Sequence, residues 1–272
     1  MDDNRKFDMR GTYLIDDANG KLFAVLEYYS PIPGTNESIL YFFYRDENGR
    51  RIYDSLRYEF DKEFEKFKSD RYFFMHKSSI NHVYHFSPIE NTQSILEHGI
   101  LSREEAGIRN VGIEITDPNR FDGELNKISA SISFPNYKMR YSLEQKGKNL
   151  VIYDIDPRIL LCKLDTQFYY TNAANSVFRN LDKSRFTTNE ALKGMFTDYK
   201  REQELDRSFP TDPQAEVLID TEIPLKFING VITKEEDYDI EFLCKERGIS
   251  YSVDKALYDK REKIKEYYKD GE

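Results

Sequence analysis

The sequence predicts a mixed α+β chain, a β-rich N-terminal stretch followed by a larger unit in which strands and helices alternate. Three observations carry this. Between Arg10 and Lys77 aromatic and aliphatic runs are separated by turn signals, two of them Asn-Gly pairs that favour the positive-φ turns of hairpins. From Asn81 onward, strand-like alternation gives way repeatedly to capped helical patterns. Finally, 19 Phe and 20 Tyr, with no Trp, supply ample bulk for a core in a chain of 272 residues. That length exceeds the usual single domain. The boundaries read from the sequence are a β-rich accessory module over 1–78, a main domain over 79–240 and a C-terminal helical extension over 241–272.

In the first stretch, Gly11 to Ile15, Lys21 to Tyr29, Ile39 to Arg45 and Arg51 to Arg57 predict a four-stranded meander. Phe60, Phe64 and Phe67 then recur at helical spacing, so a helix over Glu59 to Ser69 is expected to pack back on that sheet. Val83-Tyr84-His85-Phe86 reads as a strand. Ser87-Pro88-Ile89-Glu90 then reads as a capping box with proline in the first helical position, Ile89, Ile95 and Leu96 as the apolar face, and Gly99 as the stop. His85 is thereby placed at a strand end beside a helix start, where free backbone N–H groups favour an anion.

Farther on, Ile128, Ala130, Ile132 and Phe134 alternate with Ser129, Ser131 and Ser133, a strand with one apolar face and one face of small hydroxyls that leaves room for a ligand. Leu150 to Ile155 is a strand, Asp156-Pro157-Arg158 a turn and Ile159 to Leu164 an apolar run. A charged, helical stretch is expected after Asn175, as far as Arg207. Pro210 to Asp220 reads as a turn ending at Pro213 and a strand with Gln214, Glu216 and Leu218 on one face. A carboxylate at the start of so apolar a strand must reach solvent or serve a site. Ile223 to Ile232 is a last apolar segment, and an amphipathic Lys260 to Tyr268 helix closes the chain.

Composition narrows the function. A formal charge of −9 argues against indiscriminate coating of nucleic acid or anionic membrane. Within it, residues 138–207 hold 13 Lys and Arg against 10 Asp and Glu, a local basic balance interleaved with Tyr and Phe, as single-stranded nucleic acid prefers. Cys162 and Cys244 stand far apart with no CxxC, so neither a disulfide framework nor a metal site is expected. The polar N-terminus and the lack of an 18-residue apolar run point to a cytoplasmic chain without membrane association.

Five blocks in order carry a resemblance. Tyr84-His85-Phe86-Ser87 with Asn91, Ile95-Leu96 and Gly99-Ile100-Leu101-Ser102 is the first. Asn119-Arg120-Phe121-Asp122-Gly123, Ser131-Ile132-Ser133-Phe134-Pro135-Asn136-Tyr137-Lys138-Met139, Thr171-Asn172-Ala173-Ala174 and Pro213-Gln214-Ala215-Glu216 follow. Together they resemble the DarT family of nucleic-acid-directed ADP-ribosyltransferases, toxins of bacterial toxin–antitoxin and phage-defence systems. The resemblance implies an ADP-ribosyltransferase fold over 79–240, a split, mostly antiparallel sheet with flanking helices whose cleft holds NAD+ as co-substrate, with no metal. It implies Glu216 and Arg120 as catalytic residues, and His85, Ser87, Asn91, Arg120, Ser133 and Phe134 as NAD+ contacts, Arg109 being the alternative match for the arginine. Gln214, Thr171, Asn172 and Asn175 would face the acceptor. The acceptor implied is single-stranded DNA, with RNA or a protein side chain as alternatives, and a cognate antitoxin is the implied protein partner. A contrasting class is a binding module without transfer, against which the presence of His85, Arg120 and Glu216 speaks.

Overall fold

A computed structural model describes residues 5–7, 13–16, 21–35, 37–45, 51–59, 62–116, 123–163, 165–178, 180–196 and 205–263. The N-terminal meander has five strands rather than four: β1 (Arg5–Phe7), β2 (Tyr13–Asp16), β3 (Lys21–Pro31), β4 (Glu37–Arg45) and β5 (Arg51–Glu59), paired antiparallel in sequence order. The hairpins expected at the two Asn-Gly pairs form as β2–β3 and β4–β5, and the Asn-Gly residues themselves lie outside the described residues. Helix α1 (Lys62–Lys77) runs a full two turns beyond the expected end. Those turns follow no apolar stripe; they are held by Arg71 and Met75, one turn apart and buried at 1% and 5% exposure. Met75 and Ile80 belong to the main core, with Phe74 packed against it. The side chains of Phe60, Phe64 and Phe67 lie outside the described residues.

The larger sheet is built from β6 (Val83–Pro88), β8 (Lys127–Ile132), β9 (Leu150–Ile155), β10 (Gln167–Tyr169), β11 (Glu216–Asp220), β13 (Ile228–Thr233) and β14 (Ser250–Val253). Its order is β10-β11-β8-β6-β9-β13-β14, antiparallel throughout except for the parallel β13–β14 pair. A separate two-stranded ladder joins β7 (Ile100–Leu101) to β12 (Glu222–Ile223). Around these lie α2 (Thr92–His98), α3 (Arg103–Ile108), α4 (Tyr137–Glu144), α5 (Ile159–Cys162), α6 (Asn189–Gly194) and α7 (Tyr238–Arg247).

The sheet is split at one seam. β6 pairs with β9 along its whole length, Val83↔Ile155 to Pro88↔Leu150, but with β8 only at Val83↔Ile132 and Tyr84↔Ser131. Beyond that point the two strands part, and the opening cleft is where ligand can enter. The split antiparallel sheet with flanking helices is therefore present. Alternation assigns the faces: Val83, Ile128, Ala130, Val151, Tyr153, Val217 and Ile219 enter one apolar core. Ser129, Leu218 and Glu216 take the other face.

Several local expectations give way to stronger interactions. The capping box does not form: Ser87 lies within β6, and its Oγ accepts from Asn91 Nδ2 at 2.9 Å instead of capping a helix. Pro88 is the N-cap of a 3-10 turn, Ile89–Asn91, that leads into α2. The serine strand ends at Ile132, because Ser133 adopts φ 59° and turns the chain out of the sheet. The charged stretch after Asn175 is two 3-10 turns, Ser176–Phe178 and Lys183–Phe186, followed by α6; residues 197–204 lie outside the described ones. Near the C-terminus Arg261–Lys263 is a 3-10 turn, and the rest of the expected Lys260 to Tyr268 helix lies outside the described residues.

Gly99 stops α2 as expected, and for a reason beyond the cap. At φ 79° its missing Cβ would sit 2.5 Å from the Ile223 carbonyl oxygen and 3.2 Å from the Leu225 nitrogen. Backbone, unlike a side chain, cannot swing aside. Gly99→Ala is expected to lower unfolding stability by about 2 kcal/mol or more, combining a left-handed φ with a main-chain clash. Urea denaturation of the two proteins measures it, and an unchanged midpoint would contradict the packing described.

Candidate active site

The cleft is lined from both sides of the seam: His85 and Ser87 from β6, Ser129 and Ser131 from β8, and Glu216 from β11. Asn91 and Ser94 stand on the helical side, Arg103 beyond them, and Asn172 and Ala174 close the end nearest Glu216.

Glu216 is the centre of the arrangement. It is 6% exposed, an environment in which an unpaired carboxylate would cost several kcal/mol. Both oxygens are held. The Ser129 hydroxyl donates to Oε1, and the Ala173 N–H donates to Oε2 at 2.8 Å. The first bond follows from register. Ser129 faces Leu218, so Glu216 lies diagonally across the ladder on the same face, within reach of a short side chain. The second follows from β10: Tyr169 pairs with Glu216, and the chain leaves that pair into the Thr171–Asn175 loop that carries the Ala173 amide. Two donors aimed at one carboxylate fix its position.

His85 spans the seam. Its Nδ1 lies 2.8 Å from the Ser129 carbonyl oxygen, which can only accept, so Nδ1 carries the proton of that bond. Asn91 is committed to structure. Its Nδ2 donates to Ser87 Oγ and to the Glu114 carbonyl, and its Oδ1 accepts the Glu114 N–H at 2.7 Å. It thereby pins the Ile113–Thr116 segment, which also lines the cleft, to the end of β6.

Of the residues singled out in the sequence, the cleft gathers His85, Ser87, Asn91, Asn172 and Glu216. Ser133 and Phe134 are not among its lining, because the chain turns away at Ser133. Phe134 instead packs with Tyr84, Ile152 and Tyr258, edge-on to Phe209. Gln214 precedes β11 in a turn where its N–H is bonded to Asp212 Oδ1 at 2.8 Å; Thr171 and Asn175 stand in the loop beside the cleft without lining it. Arg120 lies outside the described residues. Ser129, Arg103 and the Ala173 amide were not singled out. The alternation placed Ser129 on the right face, and pairing β8 against the Glu216 strand would have chosen it over Ser133.

Two buried ion-pair groups support the cleft from behind. Lys127 Nζ meets Asp165 Oδ2 at 2.6 Å and Asp220 Oδ1 at 3.1 Å. Burial alone would lower the Lys127 pKa, yet the two carboxylates outweigh it and the net shift is upward, which keeps the ammonium charged. Arg109 donates to both Glu105 and Glu222, side chains 8% and 1% exposed, and so ties α3 to β12. The thiols of Cys162 and Cys244 are each pushed up to about 11, chiefly by burial, which disfavours the thiolate at neutral pH. Among the described residues no group of three His, Cys, Asp or Glu side chains converges as a metal-holding cluster.

A family profile described as "DarT: ssDNA thymidine ADP-ribosyltransferase, DarT" matches residues 84–251. Among solved structures the chain is similar to Thermosipho africanus DarTG in complex with ADP-ribose, with 19% identity over 65% of this chain and 51% of that one, at a TM-score of 0.49. It is also similar to Thermus sp. 2.9 DarT in complex with NAD+, with 14% identity over 66% of this chain and 98% of that one, at a TM-score of 0.44. The same protein in complex with ADP-ribosylated ssDNA gives 15% identity over 66% and 97% of the two chains and a TM-score of 0.42. The chain thus spans about half the length of the Thermosipho protein. No curated protein matches it by sequence.

The two candidate arginines are separable by experiment. Arg109→Ala removes a cation that pairs with the buried Glu105 and Glu222, so a loss of about 3–5 kcal/mol of unfolding stability is expected. Were Arg109 a ligand-binding residue with little structural burden, its removal would leave the urea midpoint in place.

Proposed function

The chain belongs to the DarT family of single-stranded-DNA thymidine ADP-ribosyltransferases, and from that premise we propose that it transfers ADP-ribose from NAD+ to a thymidine base of single-stranded DNA, with Glu216 as the catalytic carboxylate. The observation that carries this is the position of Glu216, fixed through both oxygens at the mouth of a split-sheet cleft.

Departure of nicotinamide builds positive charge on the ribose carbon, as in glycoside cleavage. A carboxylate bound to the neighbouring 2′-hydroxyl stabilises that charge more in the transition state than in the ground state, which is the condition for raising the rate. The ribose–nicotinamide bond breaks with its electron pair, so the cationic pyridinium leaves as neutral nicotinamide. The base nitrogen forms the new bond to the ribose carbon and gives up its proton to solvent water. In thymidine the ring nitrogen already bonded to the sugar is excluded, which leaves the one that carries hydrogen. His85 and Ser87 face the NAD+ side of the cleft, with Asn91 shaping its wall. Arg120 is assigned to the phosphates and to easing loss of the base proton. Asn172, with Thr171, Asn175 and Gln214 around it, is assigned to the acceptor side.

The same reading makes the chain a cytoplasmic toxin or defence effector with a cognate antitoxin, and the 1–78 region an accessory module outside the NAD+ chemistry. No helix among the described residues is long and apolar enough to cross a membrane. Labelled NAD+ offered with thymidine-containing single-stranded DNA, the same strand lacking thymidine, duplex DNA, RNA and protein tests the assignment. Label confined to the first supports it; label on RNA or protein alone replaces the acceptor.

Glu216→Gln separates charge from shape. Its amide oxygen can accept from Ala173 and its NH2 can donate to Ser129 Oγ, so the fold is expected to survive. The transfer rate is expected to fall at least about a hundredfold, with Ser129→Ala costing about tenfold because the carboxylate is retained but less well aimed. Single-turnover rates on saturating NAD+ measure both; a folded Glu216→Gln protein of ordinary activity would remove the assignment.

A further inference from the structure

The family match begins at residue 84, yet a residue before it is built into the support of Glu216. Arg71, in the second half of α1, is 1% exposed, and each nitrogen of its guanidinium donates to the segment that carries the 171–175 loop. Nε donates to Asn189 Oδ1 at 2.9 Å, Nη1 to the Leu160 carbonyl at 2.9 Å and Nη2 to the Thr187 carbonyl at 2.8 Å. The guanidinium also lies 5.1 Å from the centre of the Phe168 ring on β10. Leu160 precedes the loop and Thr187 and Asn189 follow it, so a single side chain clamps both ends of the 160–189 excursion.

From the clamp a packed path leads to the carboxylate. Phe186, next to Thr187, stacks on Tyr169 with ring centres 4.4 Å apart. Tyr169, Phe178, Phe186, Leu218 and Ala173 form one buried cluster. Ala173 is the residue whose N–H holds Glu216 Oε2. A planar donor in a fixed fork can bind acceptors on three sides at once, whereas a lysine ammonium at the end of a flexible stem cannot keep the same geometry. We propose that Arg71 is a positioning residue for Glu216, acting through the 160–189 segment and the Ala173 amide. This rests on the reading of Glu216 as the catalytic carboxylate only for its effect on rate; the effect on the loop stands apart from it.

The test uses the full chain with Arg71→Lys, Asn189→Ala and Asn189→Asp. Asn189→Ala removes one acceptor of Arg71, and Asn189→Asp restores it. Hydrogen exchange followed by mass spectrometry is expected to show faster exchange over 170–178 in Arg71→Lys and Asn189→Ala, ordinary protection there in Asn189→Asp, and no change over 83–101 in any of them. The rate of transfer to single-stranded DNA is expected to fall about tenfold in Arg71→Lys, within the range carried by packed networks, while NAD+ affinity stays within about twofold of the parent. Unchanged exchange over 170–178, equal acceleration over 83–101, or joint loss of NAD+ affinity and rate would overturn the proposal. Should Arg71→Lys fail to fold, the Asn189 pair gives the same decision. A parent protein that labels no DNA would refute the activity reading, while the exchange result would still decide the role of Arg71.

Discussion

Glu216 is a carboxylate removed from water and held through both oxygens, and the fold is arranged so that this can persist. Burying it costs more than one hydrogen bond returns, so both oxygens must be satisfied and neither donor can wander. One donor comes from the neighbouring strand β8, the other from the loop after β10. Glu216 is therefore aimed only if β10, β11 and β8 keep register and if the loop keeps its place. The parting of β6 from β8 then opens the face on which the carboxylate lies, and His85 bridges the seam to the Ser129 carbonyl, one residue serving both sides of the cleft.

The loops around the site are fastened by buried cations as well as by apolar contacts. Arg71 binds the Leu160 and Thr187 carbonyls, Arg140 the Tyr258 carbonyl, and Arg261 the Pro210 and Thr211 carbonyls ahead of β11. In each case a rigid fork satisfies main-chain oxygens that irregular backbone cannot pair with itself, and a nearby ring covers its face: Phe168, Tyr258 and Phe209 respectively. Lys127 and Arg109 do the corresponding work for buried carboxylates. An acidic chain has thus placed several of its cations inside, where their value lies in fixing irregular segments around the cleft.

Much of this was legible in residue order. The alternation of Ile128, Ala130 and Ile132 with Ser129 and Ser131 assigned both faces of β8, and Glu216 stood out because a carboxylate opened an otherwise apolar strand. What stayed hidden was set by tertiary partners. Nothing local marks Ser133 as the residue that adopts φ 59° and ends the strand, so Ser133 and Phe134 were placed in a cleft they do not line. Ser87 had the spacing of a capping box, but Asn91 claimed its hydroxyl. The Ala173 donor is a main-chain N–H, which no side-chain pattern can announce. Arg71 sits in a helix end without amphipathic spacing and gains its meaning only from carbonyls about 90 to 116 positions away in the chain.

The central claim is geometric, that the carboxylate held by Ser129 and Ala173 meets the sugar of the donor. A crystal structure of the Glu216→Gln chain with NAD+ bound tests it most directly, since slowed turnover preserves the donor. The expected result is NAD+ in the cleft where β6 parts from β8, with a hydroxyl of the nicotinamide ribose within hydrogen-bond reach of the residue 216 side chain. A dinucleotide bound elsewhere, or one in this cleft whose ribose lies out of reach of residue 216, would contradict it.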